Sequence, residues 1–274
     1  MKPHLFRLLT LSACSLLLLT SFHLPARAFS EGVTIHTQSG PLTGDVSPFI
    51  EEGTAYVPLV AFAQAMGEHT AHWDGQTARI SSHQLTLTAT PGQQWLEAHG
   101  RCLYVPDGVR LVSGRTMVPV RTLAQIFGAQ VNWDAETSTV SVSSGGELLE
   151  SGETYYDENT LYWLSRVISA ESQGEVLTGQ IAVGNVVLNR LESEVFPDDL
   201  YQVIFQPGQF EPVENGTIHN DPYHLSVIAA KLCLEGAQVV GDCMYFYAPA
   251  LSPGTWIVNN RTYYTTIGCH RFYL

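Results

Sequence analysis

The chain has 274 residues, of which 45% are hydrophobic and 14% charged, and its formal net charge is −13. That length exceeds one typical small core and predicts two domains, and the composition excludes a disordered chain. The acidity excludes nucleic acid as a partner, since such binding relies on Lys and Arg neutralising phosphates, and it excludes attachment to anionic polymers by simple charge attraction.

Residues 1–28 read as an export signal, which makes the mature chain secreted and extracytoplasmic. Lys2 and Arg7 form a basic start, Leu8 to Leu19 an apolar run, and Ala26-Arg27-Ala28 a small-residue cleavage site. Leu11-Ser-Ala-Cys14 is a competing lipoprotein-like box. It ranks lower because cleavage there would leave an apolar mature N-terminus. The run is short for a span and no later segment is long and apolar enough, so no stable membrane insertion is expected. Cys102, Cys233, Cys243 and Cys269 follow the signal. Export permits disulfides, and Cys243 and Cys269 each precede an aromatic, strand-like run, so that pair could face each other on neighbouring strands.

An internal repeat occupies residues 29–143. Gly53-Thr-Ala-Tyr-Val-Pro-Leu-Val-Ala-Phe-Ala-Gln-Ala-Met-Gly67 aligns with Gly114-Arg-Thr-Met-Val-Pro-Val-Arg-Thr-Leu-Ala-Gln-Ile-Phe-Gly128, and each copy runs on to a Trp-Asp pair, Trp73-Asp74 and Trp133-Asp134. The unit reads as strand, Pro at a helix start, short helix, Gly in a left-handed cap, then a hairpin. These units resemble the copper amine oxidase N-terminal-like domain, a small α+β module. Despite its name, that resemblance implies neither a copper site nor oxidase chemistry. His69 and His72 lack a third ligand nearby and read as solvated or structural. Trp73 and Trp133 read as core or edge packing.

Residues 144–154 are polar, small and acidic and read as a linker. Residues 155–274 form the second domain. Asp157 or Asn159 caps a helix starting near Thr160, whose apolar stripe of Leu161, Leu164, Val167 and Ile168 leads to Glu171. Ser172-Gln-Gly174 ends it. A second helix from about Thr178 is apolar on most faces and belongs at the centre of the domain. A carboxyl group placed against it would be desolvated and could act as a general acid. On spacing alone, a glutamate satisfied by a cap or by Arg166 is the commoner outcome.

The ordered motifs Ala170-Glu171, Asn189-Arg190, Phe196-Pro197, Tyr201-Gln-Val-Ile-Phe-Gln-Pro-Gly-Gln209-Phe210, Met244-Tyr-Phe-Tyr247, Trp256 and Gly268-Cys-His270 resemble the spore-cortex-lytic (SleB/CwlJ-type) cell wall hydrolases over about 115 residues. The Glu171-Ser172 step also looks like that of the goose-lysozyme and soluble lytic transglycosylase group. Ala248-Pro249 stands where relatives commonly have Asn-Pro. The resemblance implies an α+β chain: a two-repeat α+β module followed by a lysozyme-like, mainly helical catalytic domain with a small β-sheet. It implies a lytic transglycosylase acting on peptidoglycan glycan strands of the spore cortex or the wall, with Glu171 as catalytic acid. Ser172, Glu175, Gln209, Phe210, Tyr247, Trp256 and His270 are the expected substrate-binding residues, with holding the loop or binding the helix end the commoner role for a glutamate placed as Glu175 is. No cofactor or metal ligand set is expected, since HExxH-like spacing is missing, and a wall or spore-coat protein is an open partner. Three other readings stand beside it: a hydrolytic muramidase using Glu171 with Glu175, a non-catalytic wall-binding protein and, more weakly, an amidase.

Overall fold

The structure, a computed structural model, describes residues 32–274. The expected export signal and the Cys14 box lie outside the described residues. The N-terminal half is built from strands: β1 (Thr34–Thr37), β2 (Gly40–Pro41), β3 (Phe49–Glu51) and β4 (Thr54–Pro58), then α1 (Leu59–Met66), then β5 (Thr70–Trp73), β6 (Ala78–Ser81), β7 (Thr86–Ala89), β8 (Trp95–Ala98), β9 (Arg101–Tyr104) and β10 (Arg110–Val112). The chain continues through β11 (Arg115–Pro119), α2 (Val120–Ile126), β12 (Gln130–Asp134) and β13 (Thr139–Ser143).

The two aligned segments take the same element order, β4-α1-β5-β6 and β11-α2-β12-β13. They meet at their first strands, where Val57 pairs with Val118 in antiparallel register. Each short helix buries its first, fourth and fifth residues, Leu59, Phe62 and Ala63 in α1 and Val120, Leu123 and Ala124 in α2, as a one-sided helical stripe requires. The hairpins β5-β6 and β12-β13 join different sheets, ordered β5-β6-β7-β8-β9 and β12-β13-β1-β2. Asp74 Oδ1 accepts from the amides of Gln76 and Thr77, and Asp134 Oδ1 from those of Glu136 and Thr137, so the two hairpin turns close alike.

Two local expectations change. Pro58 and Pro119 are extended N-cap residues, one step before the first helical turn. Gly67 ends α1 at φ 150°, ψ −171°, whereas Gly128 does adopt the left-handed conformation at φ 60°. Trp73 and Trp133 lie on edge strands and are nearly half exposed, the edge position and not the core one of the two expected.

The segment joining the halves is pinned along the module. Gly146 N donates to Gly128 O, Leu149 N to Ile126 O and Gly152 N to His99 O, before the short α3 (Gly152–Tyr155). The C-terminal half then comprises α4 (Glu158–Ser172), α5 (Leu177–Leu191), α6 (Leu200–Ile204), α7 (Glu211–Asn215), a 3₁₀ turn (Thr217–His219), α8 (His224–Leu234), β14 (Tyr245–Tyr247), α9 (Thr255–Asn260), β15 (Tyr263–Ile267) and β16 (His270–Tyr273). Asp157 caps α4 by accepting from Thr160 N.

Helix α5 is buried from Leu177 through Val187 on almost every face and packs between α4 and α8. Gly184 permits that approach, because a Cβ there would lie 2.6 Å from Cys233 Sγ and 2.8 Å from Ile168 Cδ1. Three of its amide side chains are satisfied across the domain. Gln180 accepts from Ser226 Oγ, Asn185 donates to Ala237 O, and Asn189 donates to Gly241 O and Cys243 O.

The halves share a buried seam. Arg101 on β9 makes a two-pronged ion pair with Glu235 just beyond α8, with side chains 7% and 3% exposed. Tyr156 Oη donates to the same carboxylate, Lys231 donates to Gly100 O, and Cys102 joins the helical core. All four cysteines among the described residues are free thiols. The antiparallel register of β14 and β16, Tyr245 opposite Tyr273 and Tyr247 opposite Arg271, puts Cys243 and Cys269 at opposite ends of the pair, where they cannot bridge. Among the described residues no helix is long and apolar enough to cross a membrane.

Candidate active site

Glu171 occupies the last turn of α4, and the helix turns out at Gln173. The backbone carbonyls at a helix C-terminus disfavour a negative charge. The carboxyl group is partly buried in the wall of a cavity of about 1050 Å³, with Arg190 of α5, Glu211 of α7, Tyr223, Tyr247 and His270 also in its lining. Burial, reinforced by the nearby Glu211 charge and opposed by Arg190, pushes its pKa up to about 7. Arg166, one turn earlier, does not satisfy it, because that guanidinium pairs with Asp221 at 2.9 Å and lies over the Tyr162 ring. A carboxyl group of this kind holds its proton near neutrality and faces space large enough for a sugar, which is what a general acid requires.

The other expected residues divide. Gln209, Tyr247 and His270 line the same cavity as Glu171. Trp256 lines an adjoining space of about 550 Å³ that shares Arg190, Gly208, Gln209 and Phe246 with it. The Tyr247 ring lies against Gly254, where a Cβ would come within 2.4 Å of it.

Ser172 points away from the cleft, 3% exposed, because its hydroxyl donates to Ile168 O within the helix. Phe210 is a core side chain beneath the cleft, packed near Phe246 and Arg190. Glu175 is turned to the β15–β16 connection, where both carboxylate oxygens accept from Cys269 N and the backbone of Gly268 passes so close that no side chain would fit. Glu175 therefore holds a loop, and His270 Nδ1 lies 3.7 Å from it. Burial lowers the His270 pKa, and Glu175 opposes that shift.

Two charged groups in the cleft are not among the expected site residues. Glu211 follows Phe210 and carries no motif of its own. Arg190 closes the Asn189-Arg190 motif with no site role assigned to it, although an arginine ending an otherwise apolar helix is a usable signal of a buried charge. Among the described residues, no group of three or more His, Cys, Asp or Glu side chains is placed to hold a metal ion.

Residues 174–273 match the family model described as cell wall hydrolase, and residues 37–142 the copper amine oxidase N-terminal domain. The first match begins three residues after Glu171. The spore cortex-lytic enzyme of Halalkalibacterium halodurans is 34% identical over 117 residues, 43% of this chain and 35% of that protein. The cell wall hydrolase CwlJ of Bacillus subtilis is 26% identical over 117 residues, 40% of this chain and 81% of that protein. The catalytic domain of the germination-specific lytic transglycosylase SleB from Bacillus anthracis is 31% identical, with a TM-score of 0.42 over 46% of this chain and all of that one. The chain thus spans about a third of the length of the first of these curated relatives.

Proposed function

The chain belongs to the cell wall hydrolases through its C-terminal half and carries a copper amine oxidase N-terminal domain ahead of it; from that membership and the cleft, we propose that it cleaves peptidoglycan glycan strands with Glu171 as general acid. The observation that carries the reading is a carboxyl group without a protein partner, its pKa raised to about 7 in the wall of a large polar cleft. The cleft's continuation toward Trp256 and Arg261 suits an extended polymer better than a small molecule. Tyr247 and the half-exposed Trp256 offer flat apolar faces to sugar rings, and Gln209 an amide to an acetamido group.

The chemistry we infer is lytic transglycosylation. Glu171 donates its proton to the oxygen linking N-acetylmuramic acid to N-acetylglucosamine, the glycosidic bond breaks, and positive charge develops at the muramic C1. The Glu171 carboxylate then takes the proton of the sugar's C6 hydroxyl as that oxygen bonds to C1, which closes a 1,6-anhydro ring and restores the acid. One carboxylate suffices, whereas ordinary glycosidases use two. Glu175, tied to Cys269 N, is ill placed to be a second.

A hydrolytic reading is favoured by one observation, that Glu211 shares the cleft with Glu171 and could activate water there. Mass spectrometry of soluble fragments separates the two. Products ending in 1,6-anhydromuramic acid, lost in Glu171→Gln, support the first. Reducing-end muramic acid, lost in Glu211→Gln, supports the second. No fragments from the parent protein would sink both and favour a glycan-binding role.

We also propose that the enzyme acts outside the cytoplasm, on cortex or vegetative wall, with the N-terminal module as a wall-proximal spacer. Sequence similarity to spore cortex-lytic enzymes supports this site of action.

A further inference from the structure

Arg190 is 4% exposed, yet it belongs to the walls of both adjoining cavities. Its Nε donates to Met244 O at 2.8 Å, and its guanidinium lies 5.0 to 5.7 Å from the ring centres of Phe196, Phe210 and Tyr245. Nη1 is buried and has no hydrogen-bond partner. No carboxylate pairs with it, in contrast to the other cleft arginine, Arg166, which Asp221 neutralises. A buried cation with a free donor is costly unless something meets it during function. Three aromatic faces and one carbonyl fix its place, but none supplies a negative charge.

We propose that Arg190 is a positioning residue for Glu171, the built-in counter-charge for the carboxylate left once that acid has given up its proton. This rests on the reading of Glu171 as the general acid. The charge that appears in the reaction is one the free enzyme lacks. While Glu171 is protonated the guanidinium stands unpaired, and after proton transfer the two opposite charges face each other in a poorly solvated wall, where their attraction is strong. Burial holds the arginine's own pKa down to about 10, which still leaves it charged at neutral pH. The remaining titratable or charged groups facing Glu171 cannot take the part. Glu211 on α7 is itself an acid, Arg166 on α4 is spent on Asp221, His270 on β16 is held neutral by burial, and Tyr223 and Tyr247 carry no positive charge.

The test compares Arg190→Lys, Arg190→Met and Arg190→Gln with the parent, all full-length and checked for folding. Glu171 is titrated by carboxyl ¹³C NMR, with Glu171→Gln identifying the signal, and kcat and KM are followed against pH on soluble glycan strands. Activity requires protonated Glu171, so it falls as pH rises through that group's pKa. Loss of the positive charge should move both the titration midpoint and this basic limb up by about one pH unit, and should lower kcat roughly 10- to 100-fold with little change in KM. The lysine variant should keep the parent's midpoint to within about half a unit. Met preserves the apolar packing among the three rings. If both neutral variants unfold while the lysine variant folds, the buried positive charge is a structural tie and the inference falls. It falls equally if midpoint and limb stay put, or if only KM changes. Activity surviving in Glu171→Gln would instead remove the general-acid reading itself.

Discussion

The seam between the halves and the cleft treat buried charge in opposite ways. At the seam, Arg101 meets Glu235 through two hydrogen bonds and Tyr156 completes the carboxylate, so both buried members of the pair are matched. In the cleft, Glu171 and Arg190 lie in one cavity wall and neither has a carboxylate–guanidinium partner. The paired set can do nothing further and serves cohesion. The unpaired set is unstable on its own terms, and such groups mark chemistry. Buried charge by itself identifies neither role, and the discriminating feature is whether its partners are already present.

The contrast can be broken at either end. The largest effect should be Glu171→Gln on glycan cleavage, a loss of about 10²- to 10⁴-fold measured by fragment release. A loss of less than tenfold would mean that the unpaired acid is incidental. Next, Glu235→Ala leaves Arg101 buried and alone and should destabilise the protein by about 3–5 kcal/mol in urea unfolding. A cost below about 1 kcal/mol would show that the halves are held by apolar contact instead.

The third effect has the opposite sign and sharpens the distinction. Since the folded pKa of Glu171 lies near 7 and the unfolded value near 4.5, the folded state loses stability as pH rises through that interval. Glu171→Gln should therefore match the parent near pH 4 and exceed it by on the order of 2 kcal/mol at pH 8, read as a pH-dependent rise in Tm. Equal stabilities at both pH values would contradict the burial of the acid. The smallest effect belongs to Trp133→Ala. This nearly half-exposed edge side chain should cost no more than about 1 kcal/mol and leave cleavage unchanged. A loss of wall binding in that variant would give the module a sugar-binding role.

Much of this was legible in the residues. The repeat could be read from matched Val-Pro, Gly and Trp-Asp positions, because strand, helix and turn are local and their signals recur at one spacing. The end of α4 and the start of α5 were legible from Ser172-Gln-Gly174, since a polar, glycine-bearing break between two apolar runs has few alternatives. The centrality of α5 followed from its lack of a polar face. Within the site, Glu171, Gln209, Tyr247, Trp256 and His270 came from the family resemblance, and the fold brings all of them to two adjoining cavities.

The misplacements share a cause. Ser172 follows the acid in sequence, but the next residue on a helix points about 100° away, here into its own turn. Glu175 is four residues from Glu171, yet the break after α4 sends it to the β15–β16 turn. Phe210 adjoins Gln209 and faces the other way, into the core.

The sequence by itself determined the elements: two copies of a strand–helix–hairpin unit, an amphipathic helix ending in a glutamate, and an apolar helix behind it. These follow from periodicity, caps and glycine breaks, all of which act within a few residues. Only the tertiary structure decided which charges meet. Arg101 finds Glu235 across 134 positions, Arg166 finds Asp221 across 55, and Arg190 finds no carboxylate at all. Pairing over such separations depends on how helices and sheets pack, and no local pattern encodes it.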